Sequence, residues 1–274
     1  MAATVSFTNA LRDEYQNLFG QCQVRPNQLA LVDNLAAKIE ANKARYQQVG
    51  GPLNIPWYFI GIVHNMECSL NFSQHLHNGD PLTAFTKQVP AGRPKVGHGP
   101  PFTWEESAAD ALSMRNLQSP AGWSLPATLY KLERYNGFGY RTRNTGINTP
   151  YLWSFSNLYA KGKFVKDGVF NANAVSQQCG AAVLLRRMAE TGKIVFGTDG
   201  EPLLGEAGAP PDLSQFAPLV RFAPNEISEN ARALQNALNK FPGIFLLADG
   251  RAGQNTSDAF KRITGHFLLG DPRA

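Results

Sequence analysis

Residues 55–82 read IPWYFIGIVHNMECSLNFSQHLHNGDPL, and this stretch decides the fold around it. Its first half is almost wholly apolar, which predicts a helix over residues 55–67. In a helix, Ile60, Val63 and Glu67 share one face, because they are spaced three and four residues apart. The helix therefore ends in a single acidic side chain that points where the apolar side chains point, and water is scarce there.

A second carboxyl follows in the polar turn HNGDP, where Asp80 lies 80 − 67 = 13 residues after Glu67. Desolvation favours the protonated form of Glu67, whereas the turn residues around Asp80 indicate exposed, irregular backbone. A carboxyl that stays protonated and one that stays ionised are the pair that glycoside hydrolysis requires. Glu67 is thus a candidate general acid, and Asp80 is a candidate base.

Each carboxyl also has a structural interpretation. Glu67 could be a helix-end carboxylate that pairs with an arginine, and an Asp before a proline is explained by turn formation alone. Glu105 and Glu106 form a reserve pair of candidate bases. The first turn of a helix attracts acidic residues for capping reasons, however, and that interpretation stays open for both.

The chain has 274 residues, 43% of them hydrophobic, and a net charge of +5, which favours an anionic surface as partner. No dense basic run or familiar motif indicates nucleic acid, so none is expected as a partner. No apolar run is long enough to span a membrane, and the N-terminus lacks the features of a secretory signal. Three scattered cysteines, Cys22, Cys68 and Cys179, are expected to be reduced thiols in the core.

Apolar periodicity predicts a mainly α fold with a small β-hairpin region. Thr103 and Glu106 are expected to form a capping box at the start of one helix. Residues 69–101 are expected to form a loop and the small hairpin, and the aromatic stretch 135–159 is too irregular for a simple helix. The other predicted helices cover residues 27–49, 126–135, 172–191, 229–241 and 256–264.

Composition divides the chain into parts. Residues 197–218 hold four Gly and four Pro and show no periodicity, which is typical of a domain boundary. The predicted organisation is a large first domain over residues 1–198, a linker over 199–218 and a small C-terminal module over 219–274.

The Glu67 segment resembles the goose-type lysozyme and soluble lytic transglycosylase superfamily, in which a helix ends in the catalytic Glu, commonly followed by Ser. Here Glu67 is followed by Cys68 and Ser69. The spacing to Asp80 is similar to that of the second site carboxylate of goose-type enzymes, and residues 135–140 are similar to the sugar-cleft tyrosine region. The resemblance covers residues 27–160. It implies an α+β lysozyme-like catalytic domain that is a muramidase, and it favours inversion.

The resemblance also implies a sugar-binding wall. The expected substrate-binding residues are the aromatic side chains of the irregular stretch together with two polar residues before Asp80, although large aromatic residues are as often part of a core. They are Tyr135, Tyr140, Tyr151, Trp153, His77 and Asn78.

The C-terminal stretch, residues 234–265, resembles a peptidoglycan-binding module of phage endolysins and bacterial wall amidases. The matching positions are Asp249, Gly250, Gly253, Thr256 and Phe260. We expect Asp249 and Gly250 to form a tight turn, Gly253 to permit close backbone approach, Thr256 to cap a helix and Phe260 to enter a small core. Both resemblances imply peptidoglycan as the partner.

Three other functions stay open. His64, His75 and His77 could hold a zinc ion with Glu67, as in a wall peptidase or amidase. The same acid could serve a lytic transglycosylase or a chitinase, and the first domain could bind wall sugars without catalysis. The expectation is a monomeric peptidoglycan hydrolase that needs no metal or cofactor. It would be synthesised in the cytoplasm without a signal peptide and act on the wall after release or export.

Overall fold

The computed structural model describes residues 5–166, 168–196, 212–241 and 243–274. The protein is mainly helical with one small antiparallel sheet, so the predicted fold class is confirmed. None of the helices in the described part of the chain is both long and apolar enough to cross a membrane. The α-helices are α1 (Asn9–Gln21), α2 (Leu29–Ala41), α3 (Lys43–Leu53), α4 (Trp57–Cys68), α5 (Trp104–Ser113), α6 (Leu125–Asn136), α7 (Gly139–Thr142), α8 (Pro150–Trp153), α9 (Ala181–Glu190), α10 (Glu229–Leu238) and α11 (Gln254–Thr264). The strands are β1 (Lys163–Lys166) and β2 (Val169–Asn171).

Helix α4 is the centre of the first core, and it packs against α2, α3, α6 and α9. Gly61 allows α2 and α3 to approach, because a Cβ atom there would lie 2.4 Å from the Ile39 side chain. The helix ends immediately after Glu67 and Cys68, since Ser69 adopts a left-handed conformation with φ of 50°. The predicted helix over residues 55–67 is confirmed, and its last turn holds Glu67 at the protein surface.

The predicted helix over residues 27–49 is wrong in its bounds, because the chain forms α2 and α3 with a break at Asn42. The glycine pair at residues 50 and 51 does not end α3, which continues to Leu53. Gly50 is instead needed for close packing, since a Cβ atom there would lie 2.2 Å from the Ile55 carbonyl oxygen. Glycine is needed at position 50 because it is small, and not because it can adopt unusual backbone angles.

The β-hairpin lies in a different place from the one predicted. Residues 69–101 form a loop that contains one isolated bridge, between Gln74 and Pro81, whereas the strands are β1 and β2. Phe164 and Phe170 face each other across the hairpin, which gives these short strands an aromatic contact. The predicted helix over residues 172–191 begins only at Ala181.

The described residues form two hydrophobic cores. The first extends from Leu11 to Ile194, and the second, smaller core extends from Leu213 to Leu268. Most of the predicted linker falls within residues 197–211, which lie outside the described residues.

The C-terminal module contacts helix α1 of the first domain. The Phe245 ring lies 5.0 Å from the Phe19 ring in an edge-to-face arrangement, and the Arg186 guanidinium lies 4.1 Å from the Phe245 ring centroid. Gln16 Nε2 also donates a hydrogen bond of 2.9 Å to the Leu246 carbonyl. These contacts attach the module to α1 and α9 by both apolar and polar groups.

The buried side chain of Lys131 leads to a prediction about the stability of the protein. Lys131 on α6 is 1% exposed; its Nζ donates to the Gly122 carbonyl at 2.5 Å and lies 3.7 Å from the Trp123 ring centroid. Burial, with a smaller effect of the Arg134 charge, lowers the pKa of Lys131 to about 7. The folded protein therefore releases a proton at a lower pH than the unfolded chain, and its stability rises as pH increases above that value.

We expect Lys131→Met to raise the free energy of unfolding by about 1–3 kcal/mol at pH 6, because the buried charge is removed. This advantage should shrink as pH rises from 7 towards 10, where the wild-type lysine is neutral in the folded state. Chemical denaturation at several pH values measures the difference, and Lys38→Met, at an exposed position on α2, is the control. A gain independent of pH would contradict the titration of Lys131.

Candidate active site

Glu67 lies at the surface end of α4, with its carboxyl hydrogen-bonded to a tyrosine. Tyr151 Oη donates to Glu67 Oε1 at 3.1 Å. The Glu67 residue reaches solvent, yet the protein atoms around its carboxyl exclude enough water to raise its pKa. The hydrogen bond from Tyr151 and the charge of Arg115 act in the opposite direction without reversing this effect. The raised pKa agrees with the expected desolvated carboxyl.

The neighbours of Glu67 come from distant parts of the chain. Tyr151 is on the one-turn helix α8, which Pro150 begins, and Gln178 precedes α9. Gln178 Nε2 donates to the Met66 carbonyl at 2.6 Å, which attaches this segment to the last turn of α4. Tyr151 and Gln178 both line a cavity of about 350 Å³, so the acid lies beside a concave surface that could receive a ligand.

Asp80 lies in a loop that packs against the end of α4. Gly79 is next to the Glu67 carbonyl oxygen, and Cys68 Sγ donates to the His75 carbonyl at 3.3 Å. Asp80 Oδ2 accepts hydrogen bonds from the Lys87 backbone N–H at 2.7 Å and from Asn78 Nδ2 at 2.9 Å. These bonds, the one from Lys87 above all, lower the pKa of Asp80. The carboxylate is thus kept ionised and also holds its loop together.

Two of the expected substrate-binding residues precede Asp80, and their side chains are engaged within the protein. The His77 side chain is 1% exposed, and its Nε2 lies 2.8 Å from Asp110 Oδ2 on α5. His77 is therefore not available to a ligand, and its expected role in sugar binding is wrong. Asn78 is half-buried and donates to Asp80, so it shapes the turn.

The four expected aromatic residues divide into two pairs. Trp153 is 1% exposed and Tyr135 is 7% exposed, so both belong to the core and the prediction that they form a sugar-stacking wall is wrong. Tyr140 and Tyr151 do line the cavity. The Tyr140 hydroxyl accepts a hydrogen bond from the Phe164 backbone N–H at 3.1 Å, which attaches the β-hairpin to the cavity wall.

The reserve bases have structural partners. Glu105 Oε1 accepts a bond of 2.6 Å from Arg45 Nε. Glu106 completes the predicted capping box with Thr103, and the hydrogen bond from His98, together with those from Thr103, lowers its pKa to about 2. The capping interpretation of Glu106 is confirmed, and both carboxylates are already occupied.

The three histidines of the zinc alternative are hydrogen-bonded within the protein, and Ser107 Oγ lies 2.8 Å from His75 Nδ1 and 3.4 Å from His77 Nδ1. His64 is buried and its Nδ1 lies 3.1 Å from the Tyr46 hydroxyl, while His75 lies between Ser107 Oγ and the Ala84 carbonyl, each at 2.8 Å. Burial lowers the pKa of His64 to about 4. Within the described ranges, no three His, Cys, Asp or Glu side chains are grouped as metal ligands. The zinc alternative therefore has no ligand set among the residues that the structure describes.

Two neighbours of the acid were not predicted. Arg115, in the loop after α5, stacks over the Tyr135 ring at 4.4 Å and places a positive charge near Glu67; Gln178 holds the Met66 carbonyl. Neither belongs to a local motif with Glu67, so no pattern in the sequence could have linked them to it.

The C-terminal module is organised around one buried amide. Gln235 Nε2 donates to Asp249 Oδ1 at 2.9 Å, and Gln235 Oε1 accepts from the Gly250 N–H at 2.8 Å. Gly250 has a φ of 79°, as a tight turn requires, and Phe260 is 2% exposed in the second core.

The expected cap of α11 is wrong. Helix α11 begins at Gln254 with Gly253 at the N-cap, so Thr256 lies inside the first turn. Its hydroxyl accepts a bond of 3.1 Å from Gln235 instead, because the buried amide needs an acceptor there. Gly253 makes ordinary contact with Pro224 and no unusually close backbone approach.

The Tyr151 hydrogen bond leads to a prediction. Since it stabilises ionised Glu67, Tyr151→Phe should raise the pKa of that carboxyl further. If Glu67 acts as an acid, the high-pH limb of any Glu67-dependent activity should then move to higher pH. Tyr130→Phe, which removes a hydroxyl bound to the Val5 carbonyl, is the control. A limb that moves to lower pH would contradict this account.

No protein-family model, curated protein or solved structure matches the chain.

Proposed function

We propose that the protein is a peptidoglycan hydrolase that cleaves the glycan between N-acetylmuramic acid and N-acetylglucosamine. The observation that carries the proposal is the Glu67 carboxyl, whose pKa is raised by desolvation at the edge of a cavity. A raised pKa favours the protonated form of a carboxyl, and a protonated carboxyl is the group that glycosidases use to protonate a leaving oxygen. The goose-type resemblance around Glu67 supports the same reaction.

In this mechanism, Glu67 donates its proton to the bridging oxygen as the glycosidic bond breaks. Asp80 accepts a proton from the water that attacks the anomeric carbon on the opposite face, which inverts the configuration. The lowered pKa of Asp80 supports this division of roles, because an ionised carboxylate is needed there. Desolvation favours the protonated form of Glu67, and hydrogen bonds favour the ionised form of Asp80. Paired catalytic carboxyls require this difference.

A lytic transglycosylase is the second candidate, and the hydrogen bonds of Asp80 favour it. Asp80 Oδ2 is already the acceptor for Lys87, Asn78 and, at 3.5 Å, Gln88. If this carboxylate only holds the loop, the sugar's own substituent closes an anhydro ring in place of water. Glu67 keeps its role in both reactions.

The C-terminal module is proposed to hold the protein on the wall. Its Asp249-Gly250 turn and the Gln235 network provide a rigid small fold that resembles wall-binding modules. The positive net charge of the chain supports attraction to an anionic wall.

In the experiment, the wild-type protein is mixed with insoluble, purified peptidoglycan, and bound protein is separated from free protein. The bound protein then digests the peptidoglycan and releases fragments. Mass spectrometry of the soluble fragments distinguishes the reactions. Muropeptides with reducing N-acetylmuramic acid ends would support the hydrolase, and anhydro ends would support the transglycosylase. Release of free peptides, or of no fragments, would reject both.

A further inference from the structure

The cavity beside Tyr151 carries a concentrated positive charge. The described residues that line it include three cations, Arg143, Lys163 and Lys166, and no carboxylate. Lys163 and Lys166 are at the two ends of β1, and Arg143 follows α7. We refer to these three residues as the hairpin cation cluster.

Aromatic packing supports the hairpin cation cluster from behind. The Arg143 guanidinium lies 5.1 Å from the Phe164 ring centroid, and Phe164 contacts Tyr140 at 4.9 Å between ring centroids. Phe164 also faces Phe170 across the hairpin, and its backbone N–H donates to the Tyr140 hydroxyl. The Arg143 guanidinium and the backbone of β1 are therefore attached to a packed wall of the cavity.

The hairpin cation cluster lines the same cavity as two residues that bind the end of α4. Tyr151, which binds the Glu67 carboxyl, and Gln178, which binds the last turn of α4, line the same space as the three cations. A volume of about 350 Å³ can receive part of one glycan substituent. A group bound there would lie next to the glycosidic bond that Glu67 protonates.

We propose that the hairpin cation cluster binds the carboxylates of the peptide stem that peptidoglycan carries on the lactyl group of muramic acid. This inference rests on the proposed function, whose substrate it specifies. Chitin is uncharged and chitosan is cationic, so neither offers an anion to the cavity, whereas every peptide stem does. Charge complementarity of this kind provides selectivity more than affinity. The phosphates of other wall polymers are anions too, so binding of a glycerol phosphate polymer is compared with binding of the muropeptide.

The test measures ligand binding to the protein that carries Glu67→Gln. This substitution prevents cleavage, so the ligand stays intact. The ligands are a soluble dimeric muropeptide with its tetrapeptide stems, chitotetraose, and a glycerol phosphate polymer, each measured by isothermal titration calorimetry. Adding Lys163→Gln and Lys166→Gln should weaken muropeptide binding about tenfold at low salt and leave chitotetraose binding unchanged. The loss should shrink at high salt, since screening weakens exposed charge pairs.

The matched control adds Lys38→Gln and Lys240→Gln, which remove the same charge at exposed positions that do not line this cavity. Equal muropeptide affinity in the two double variants, or an equal loss for muropeptide and chitotetraose, would overturn the inference. A loss confined to the glycerol phosphate polymer would overturn the carboxylate assignment. Failure of the proposed function is seen separately, as an absence of glycan fragments from the wild-type digestion.

Discussion

Replacing Glu67 by Gln should lower the rate of glycan cleavage by about 10²- to 10⁴-fold, which is the contribution of a general acid. The amide has nearly the same shape as the protonated carboxyl, so the α4 terminus and its neighbours should keep their positions. Tyr151 Oη can still donate to the amide oxygen. What is lost is the proton for the leaving oxygen. The measurement is the release of reducing ends from purified peptidoglycan.

Stability provides an independent readout of the same variant. The folded state raises the pKa of Glu67, so it binds the proton more tightly than the unfolded chain and loses stability as pH rises from the ordinary pKa of a glutamate through the raised pKa in the folded state. Glu67→Gln should therefore be more stable than the wild type at neutral pH and equally stable in acid. Glu226→Gln, at an exposed position in the C-terminal module, should change neither activity nor stability. Full activity of Glu67→Gln would remove the acid from the mechanism.

Replacing Asp80 by Asn should lower hydrolysis by about 10²- to 10⁴-fold, because the proposed general base is removed. The Asn side-chain oxygen can still accept the bond from the Lys87 backbone N–H, so the loop should remain folded. Any remaining cleavage should yield anhydro ends, since ring closure needs no activated water. Rates and mass spectra of the fragments measure both effects.

The matched control for Asp80 is Asp212→Asn. Asp212 is an exposed aspartate whose carboxylate also accepts a backbone N–H bond in a turn, from Ser214 at 2.9 Å. Its replacement should leave activity unchanged. An unchanged hydrolysis rate in Asp80→Asn, with a normal melting temperature, would mean that Asp80 only holds its loop. If activity is lost only because the variant unfolds, as a large fall in melting temperature would indicate, the conclusion would be the same.

Local patterns were enough to predict the α4 segment and its terminal acid. A run of apolar residues indicates a buried helix, and α4 is buried continuously from Tyr58 to Met66, up to Glu67. The capping box at Thr103 was predictable for the same reason, because its hydrogen bonds join residues three positions apart. The break at Asn42 was not, since α2 and α3 pack as separate helices around α4 and tertiary packing overrides propensity.

The surroundings of the acid were predicted less well, because they depend on contacts between distant residues. His77 lies in a polar stretch that indicates exposure, yet Asp110 on α5 covers it and satisfies its ring nitrogen. Trp153 was expected in the sugar wall because a large aromatic residue suits either a cleft or a core, and only the fold decides between them. The path of the loops brings the Arg115 charge near Glu67 and Gln178 to the Met66 carbonyl, and it leaves no pattern in the sequence.

The attachment of Phe245 to Phe19 and Arg186 has a consequence for how the protein would move along its substrate. A module on a free tether lets a catalytic domain sample a wide area around one anchoring point. Here helix α1 holds the module through ring contacts and the Gln16 hydrogen bond, so the proposed anchor and the proposed substrate cleft would keep a fixed spacing. Each anchoring event would then present the same short section of glycan to Glu67, and cuts would be spaced by the dimensions of the protein. The distribution of fragment lengths would record that spacing.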